Sequence, residues 1–338
     1  MSTRMYGSLA RIADFKNSNF DVTKLDRSAW ATGDYVEGEV IGTPSRLYRI
    51  EDRTGHMIQV EPGDWVIGAL GQRAATLEGV GGWADITADG HMHALTSAAL
   101  IGYYTSYSTL FPEPMELVYR GHLCRDGKKV CMRDFAMRSD THAFNVPTLL
   151  LFGSSMSAGK TTTGRRVCKE LDRAGMYIIG AKLTGAGRYR DILSYLKNGA
   201  REIYDFVDGG LPSTVVPEQD FREAIRPLLN HINERKPDLL VVEAGASPIE
   251  PYNGEALVDE LGDNIVCTVL CASDPYSVVG VQQAFGVTPD LVTGPATTTS
   301  AAVDLVRKLT GLKGINILDP DMKQPFRDFL FDKLKIAR

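Results

Sequence analysis

The sequence predicts a two-part α/β protein: a doubly wound, mainly parallel sheet domain over residues 146–338, preceded by a β-rich, barrel-like domain over residues 1–145. Three observations lead there. After Pro147, apolar strand-like runs alternate with segments of helical period, the pattern of βαβ units and a sheet covered on both faces. Before Pro147, short β-branched and aromatic runs are punctuated by Gly, Pro and Asp, which is strand-and-turn texture. Between the two, "TLLLFGSSMSAGKTTTGRRVCKEL" (148–171) carries Gly153, Gly159, Lys160 and Thr161 in the fixed places of a phosphate-binding loop, Gly-x-x-x-x-Gly-Lys-Thr.

Composition bounds the reading. A chain of 338 residues is too long for one small core and suits two domains. Its net charge of −5 offers no basic stripe, so no nucleic-acid partner is expected. No apolar run approaches the ~20 residues that span a bilayer, and "MSTRMYGSLARIADFKNSNF" has no secretory-type apolar core. A cytoplasmic protein without a membrane partner is therefore expected. The cysteines, Cys124, Cys131, Cys168, Cys267 and Cys271, are odd in number and scattered, unlike a disulfide framework. Cys267 and Cys271 read as buried small hydrophobes. Cys124 and Cys131 with His122 lack a second ligand pair, so strand cysteines are expected rather than zinc ligands.

In the first part, strands are expected over 33–41, 46–52, 56–62 and 63–70. "GDYVEG" (33–38) and "GDWVIG" (63–68) echo each other, as two hairpin halves of a small barrel would. Segment 116–137 reads as a hairpin turning at Asp126-Gly127. "GALGQRAATLEGVGGW" (68–83), with Arg73, reads either as a flexible loop over the ligand site or as a series of β-turns. His91 and His93 alternate along a strand and face the same way; without a third ligand, surface histidines are expected.

In the second part, strand 148–152 is followed by helix 160–174, strand 176–182, helix 189–198 and helix 219–235. Then come strand 238–243, strand 264–271, helix 276–285, strand 290–293, helix 298–310, strand 315–318 and a terminal helix. In "TGPATTTSAAV" (293–303), Thr297 to Thr299 read as helix caps, with contact to a second anion as the alternative.

The loop motif carries specific chemistry. Glycines let the backbone approach phosphates closely, and successive N–H groups at a helix start make an anion nest. Backbone groups of residues 154 to 160, with Gly153, Ser154, Ser157, Ala158, Gly159, Lys160, Thr161 and Thr162, are the predicted nucleotide-binding set. Lys160 would reach the β- and γ-phosphates and the Thr161 hydroxyl would hold Mg²⁺. An acidic partner for the metal belongs at the end of a neighbouring strand, and "DLLVVEAG" puts Glu243 there. "IIGAKLTGAGRYRD" ends a strand on Lys182, suited to offset charge developing in phosphoryl transfer. The following loop offers Thr184, Arg188 and Arg190 as substrate contacts, with a solvated surface loop as the plainer alternative. Asp205 and Asp208, beside Gly209-Gly210, are further substrate or proton-accepting candidates, or a solvated turn.

"GSSMSAGKTT", "AKLTGAG" and "LLVVEAGAS", in that order and at strand ends, resemble dethiobiotin synthetase and its relatives among the P-loop NTPases. The resemblance covers about residues 148–250. Lys182, Thr184 and Gly185 match the family's strand-end Lys and Thr-Gly. Val242, Glu243, Ala244, Gly245 and Ala246 match its Val-Glu-Gly-Ala-Gly segment. The resemblance implies a nucleotide-binding fold, ATP and Mg²⁺, and a homodimer. Two departures separate the chain from that enzyme. Ser155-Met156-Ser157 stand where the family carries Asp and Val or Ile, and no asparagine-rich base-recognition segment is evident. "LCASDPYSVVG" makes Asp274 the base-recognition candidate.

The expected function is thus ATP- and Mg²⁺-dependent phosphoryl transfer to a small anionic metabolite, by a kinase or an acyl-phosphate-forming ligase. Lys160, Lys182 and Glu243 are its catalytic candidates. Two other readings stay open: an acyltransferase gripping coenzyme A phosphates with the loop, and a nucleotide-dependent switch or adaptor.

Overall fold

A computed structural model describes residues 3–15, 19–139, 143–245 and 247–336; Ala246, matched above, lies outside them. The chain divides into two compact units. The first comprises Met1–Arg138, Ala186–Arg190 and Phe206–Leu228; the second comprises Ser139–Gly185, Asp191–Asp205 and Leu229–Arg338. Two segments that follow the loop motif in sequence thus belong to the first unit.

The strands of the first unit are β1 (Arg4–Tyr6), β2 (Asp21–Thr23), β3 (Tyr35–Ile41), β4 (Arg49–Glu51), β5 (Met57–Gln59), β6 (Trp65–Leu70), β7 (Gln72–Ala75), β8 (Gly79–Gly82), β9 (His91–Ala94), β10 (Leu100–Tyr107), β11 (Met115–Arg125) and β12 (Lys128–Lys129). The main sheet runs β1-β6-β3-β11-β9-β10-β8-β7, with β2 and β12 on β11, while β4 and β5 pair separately. β6 also pairs in parallel with β10 through Leu100↔Ala69 and Ile101↔Leu70, so the pairings from β6 through β3, β11, β9 and β10 return to β6. Gly68 makes that approach possible: a Cβ there would sit 2.1 Å from the Ala99 carbonyl oxygen. The echoed hexapeptides are antiparallel partners, with Val36 opposite Gly68 and Gly38 opposite Val66. Their apolar faces join Val40, Ile50, Met92, Ile101 and Leu117 in one core.

The expected turn at Asp126-Gly127 is present, both residues at positive φ between β11 and β12. The glycine-rich stretch 68–83 is not a series of loose turns, because β7 and β8 pair as a hairpin. His93 departs from the expected surface histidine. Its ring is buried, its Nδ1 accepts from the Tyr104 amide at 3.2 Å, and burial pulls its pKa down to about 4.

In the second unit six parallel strands are ordered β15-β14-β16-β13-β17-β18: β13 (Thr148–Gly153), β14 (Ile178–Lys182), β15 (Glu202–Asp205), β16 (Leu239–Glu243), β17 (Ile265–Cys271) and β18 (Leu291–Thr293). The helices are α1 (Lys160–Asp172), α2 (Tyr189–Leu196), α3 (Glu218–Arg235), α4 (Gly254–Leu261), α5 (Pro275–Phe285), α6 (Ser300–Thr310) and α7 (Lys323–Leu334); α2 and α3 begin in the first unit. Strands β13, β14 and β16 are buried at every position, as expected of a sheet covered on both faces. Leu149, Leu151, Val167, Leu171, Val241, Val269, Phe326 and Leu330 form the core on one side.

Residues 315–318 are not the predicted strand. Only Gly314 forms a parallel bridge, to Val292. The Asn316 side chain then accepts from the Leu318 amide at 3.1 Å, a local turn that competes with the ladder. No helix among the described residues is long and apolar enough to cross a membrane.

Candidate phosphate-binding site

The site lies at the carboxyl edge of the parallel sheet, where β13 gives way to α1. Ser157 and Gly159 take positive φ of 60° and 100°, so the loop doubles back before the helix begins. Among the described residues, the N–H groups of Ser155, Met156, Ser157 and Gly159 donate to no acceptor. No side chain caps α1, whose N-cap is Gly159. These loop residues are half-buried or exposed, and a row of open amides at a helix start suits an anion.

Ser154 differs from its neighbours in the predicted set. Its amide donates to the Cys271 carbonyl at 3.0 Å, and its hydroxyl accepts from the Ser273 amide at 2.9 Å. It ties the loop to the end of β17. Gly294 braces the same region, since a Cβ there would meet the Ala158 carbonyl oxygen at 2.3 Å. Thr162 accepts from Arg165 at 3.1 Å on the outer side of α1.

Lys160 folds back over the loop, its Nζ donating to the Ser155 carbonyl at 2.8 Å. Gly153 leaves the space, because a Cβ at 153 would lie 2.7 Å from that nitrogen. The side chain is buried, 7% exposed. Burial pulls its pKa below the ordinary lysine value, while Glu243 acts in the opposite sense.

The register brings the acidic partner to the loop: Leu151 stands opposite Glu243 on β16, and Glu243 opposite Lys182 on β14. The Thr161 hydroxyl lies 3.0 and 3.2 Å from the two Glu243 carboxylate oxygens. A third group completes the arrangement. Tyr195, fully buried, donates its hydroxyl to Glu243 Oε2 at 2.8 Å. Burial, with the Glu243 charge beside it, pushes this phenol well above its ordinary range, so it stays a donor. Two glycines make room for the ring. A Cβ at Gly164 would lie 2.0 Å from the Tyr195 oxygen, and one at Gly180 would lie 2.8 Å from its Cδ2.

Lys182 Nζ is held by Asp191 Oδ2 at 2.7 Å, and Asp205 stands opposite Lys182 at the end of β15. Asp191 and Tyr195 were not singled out in the sequence. Their i, i+4 spacing places both on one face of α2, a signal that could have found them. The Thr184 hydroxyl accepts from the Gly245 amide at 2.8 Å, joining the loops after β14 and β16. Asp274 caps α5, accepting from the amides of Tyr276 and Ser277 at 2.9 and 3.0 Å. Thr299 caps α6 through the Ala302 amide. Cys271 is buried beside Thr163, and burial pushes its thiol up to about 12, which leaves it a packing residue.

The remaining predicted contacts belong to the first unit. Asp208 pairs with Arg11 at 2.8 Å, while Arg188 and Arg190 line a cavity there.

No protein-family model and no curated protein matches the chain. Solved structures resemble it at low identity. The chloroplast FtsY of Physcomitrella patens is similar at 15% identity and a TM-score of 0.34, over 58% of this chain and 69% of that one. The hydrogenase maturation factor HypB of Archaeoglobus fulgidus is similar at 17% identity and a TM-score of 0.38, over 56% and 91%. FlhF complexed with GMPPNP and Mg²⁺ is similar at 17% identity and a TM-score of 0.34, over 56% and 73%. None of these three is a dethiobiotin synthetase.

Proposed function

We propose that the second unit binds ATP with Mg²⁺ and passes the γ-phosphoryl group to a small anionic metabolite, as a kinase or as an acyl-phosphate-forming ligase of dethiobiotin synthetase-like type. The observation that carries this is the row of open amides at Ser155, Met156, Ser157 and Gly159, leading into an uncapped helix under a buried lysine.

The residues fit the implied groups. The loop amides suit phosphate oxygens, and the Lys160 ammonium supplies a charge at the same place. Thr161 and Glu243 offer the oxygen donors that a hard cation requires, and they already stand at hydrogen-bond distance. Bound there, Mg²⁺ would neutralise phosphate charge and polarise the transferred group. Tyr195 fixes one oxygen of Glu243 and so orients the carboxylate toward Thr161. Lys182, steered by Asp191, presents a second cation at the strand edge where an anionic acceptor would need one. Asp205, opposite Lys182, is a candidate to receive an acceptor proton.

The test is incubation of the purified protein with Mg-ATP and fractionated small metabolites. ADP released only with one fraction, together with a phosphorylated or condensed product, supports the reading. Tight binding of coenzyme A without binding of ATP would replace it with acyl transfer. Slow ATP hydrolysis unaffected by any metabolite but raised by a protein would replace it with a switch.

A further inference from the structure

We propose that the first unit carries a ligand site of its own, a ring-sized pocket for a small organic oxyanion, a carboxylate or phosphate on a compact apolar body. The cavity has a volume of about 150 Å³, and all of its lining residues belong to this unit. That is the size of a cavity able to take a single aromatic ring, well below the ~300 Å³ at which drug-sized clefts begin.

Its walls divide by chemistry. Leu47, Met57, Leu95, Tyr107, Phe111 and Pro114 supply apolar surface. Arg46, Arg49, Arg73, Arg188 and Arg190 supply positive charge, and among the described residues Glu78 is the only acidic one of the lining. Glu78 is already paired with Arg73. Among the described residues, no carboxylate pairs with the side chains of Arg46, Arg188 or Arg190, and Arg49 bonds only the neutral amide of Gln59.

Two unpartnered polar groups point to an occupant. Arg73 is 8% exposed, and its Nη1 donates to the Leu95 carbonyl at 2.6 Å and to the Tyr104 hydroxyl at 2.7 Å. Its Nε, however, is buried without a hydrogen-bond partner, and so is the Thr96 hydroxyl on the same wall. Buried donors left open are costly and rare. Both residues line the cavity, among the arginines that an oxyanion would neutralise.

The arginine pair after Gly187 is held by a built support. Glu51, fully buried, accepts from the Tyr189 amide at 2.7 Å, the Arg190 amide at 2.9 Å and the Ser8 hydroxyl at 2.6 Å. Arg11 stacks on the Tyr189 ring at 4.6 Å. The backbone presenting Arg188 and Arg190 to the cavity is therefore fixed before any ligand arrives.

Calorimetric titration of the full chain with benzoate, phenyl phosphate and inorganic phosphate tests this. Saturable binding of one organic probe is expected, with the tighter of the two naming the oxyanion. Binding should be equal in wild type and Lys160→Ala, which separates the pocket from the phosphate loop. Arg46→Ala/Arg49→Ala, altering exposed side chains, should weaken it about tenfold or more. If that pair fails to fold, Arg188→Ala/Arg190→Ala makes the same test. No saturable binding of either organic probe, or loss of binding in Lys160→Ala, overturns the proposal. Inorganic phosphate binding as tightly as both organic probes also overturns it, since the arginines would then attract anions without a pocket.

Discussion

Replacing Gly164 by alanine tests the packing that sets Glu243 against Thr161. In an exposed helix this change gains about 1 kcal/mol. Here the new Cβ would lie 2.0 Å from the Tyr195 oxygen and 2.2 Å from Cζ. The ring has little room to retreat, because the residue is fully buried and fits only where Gly180 lacks a Cβ, which would lie 2.8 Å from its Cδ2. Overpacking costs about 1–3 kcal/mol, and losing the Tyr195 bond to the Glu243 carboxylate costs about 1.5–3 kcal/mol more. After the helix gain is subtracted, a net destabilisation of about 1.5–5 kcal/mol follows. Urea unfolding followed by far-UV circular dichroism reads it, while Trp30, Trp65 and Trp83, all in the first unit, provide a separate fluorescence trace. In a Tyr195→Leu background the Gly164→Ala penalty should shrink by about 1 kcal/mol or more. A neutral or stabilising Gly164→Ala, or a penalty undiminished by the loss of the tyrosine ring, refutes the packing argument.

Other perturbations follow from the same geometry. Tyr195→Phe should weaken ATP binding in the presence of Mg²⁺ by about tenfold and barely change it in EDTA, because only the metal-side carboxylate loses its support. Lys160→Met should stabilise the fold, with a pH signature. Between the lowered folded-state pKa of Lys160 and its ordinary value of 10.5, the unfolded chain binds more protons, so wild-type stability rises with pH. The advantage of Met should be greatest below that window and shrink as pH approaches 10.5; an advantage that grows with pH would contradict the burial argument. Glu51→Ala strips the acceptor from three donors and should cost the first unit about 3 kcal/mol or more, read from the tryptophan trace.

Much of the second unit was legible because its signals are local. The strand-to-glycine-to-helix run around 148–172 fixes β13, the loop and α1 without help from elsewhere, and "DLLVVEAG" marks β16 and its terminal carboxylate. What escaped is what register and packing decide. Tyr195 becomes a support for Glu243 only because glycines at 164 and 180, on two other elements, leave a slot for its ring. Asp191 meets Lys182 only once α2 returns over the strand ends. Strand β15 is short and helix α4 follows an irregular turn, so neither offered a full period to read. Residues 315–318 carried strand-like composition, yet Asn316 turned the chain after a single bridge. In the first unit the echoed hexapeptides were visible, but that they pair with each other, with Gly68 letting β10 approach, is long-range information.

The most direct measurement is a crystal structure grown with excess Mg²⁺ and a slowly hydrolysed ATP analogue. The account predicts phosphate density enclosed by the main chain of residues 155–160, the Lys160 ammonium turned from the Ser155 carbonyl onto it, and the metal between Thr161 and Glu243. Nucleotide seated elsewhere, with Lys160 still bonded to the loop and the cradle amides unengaged, would contradict it.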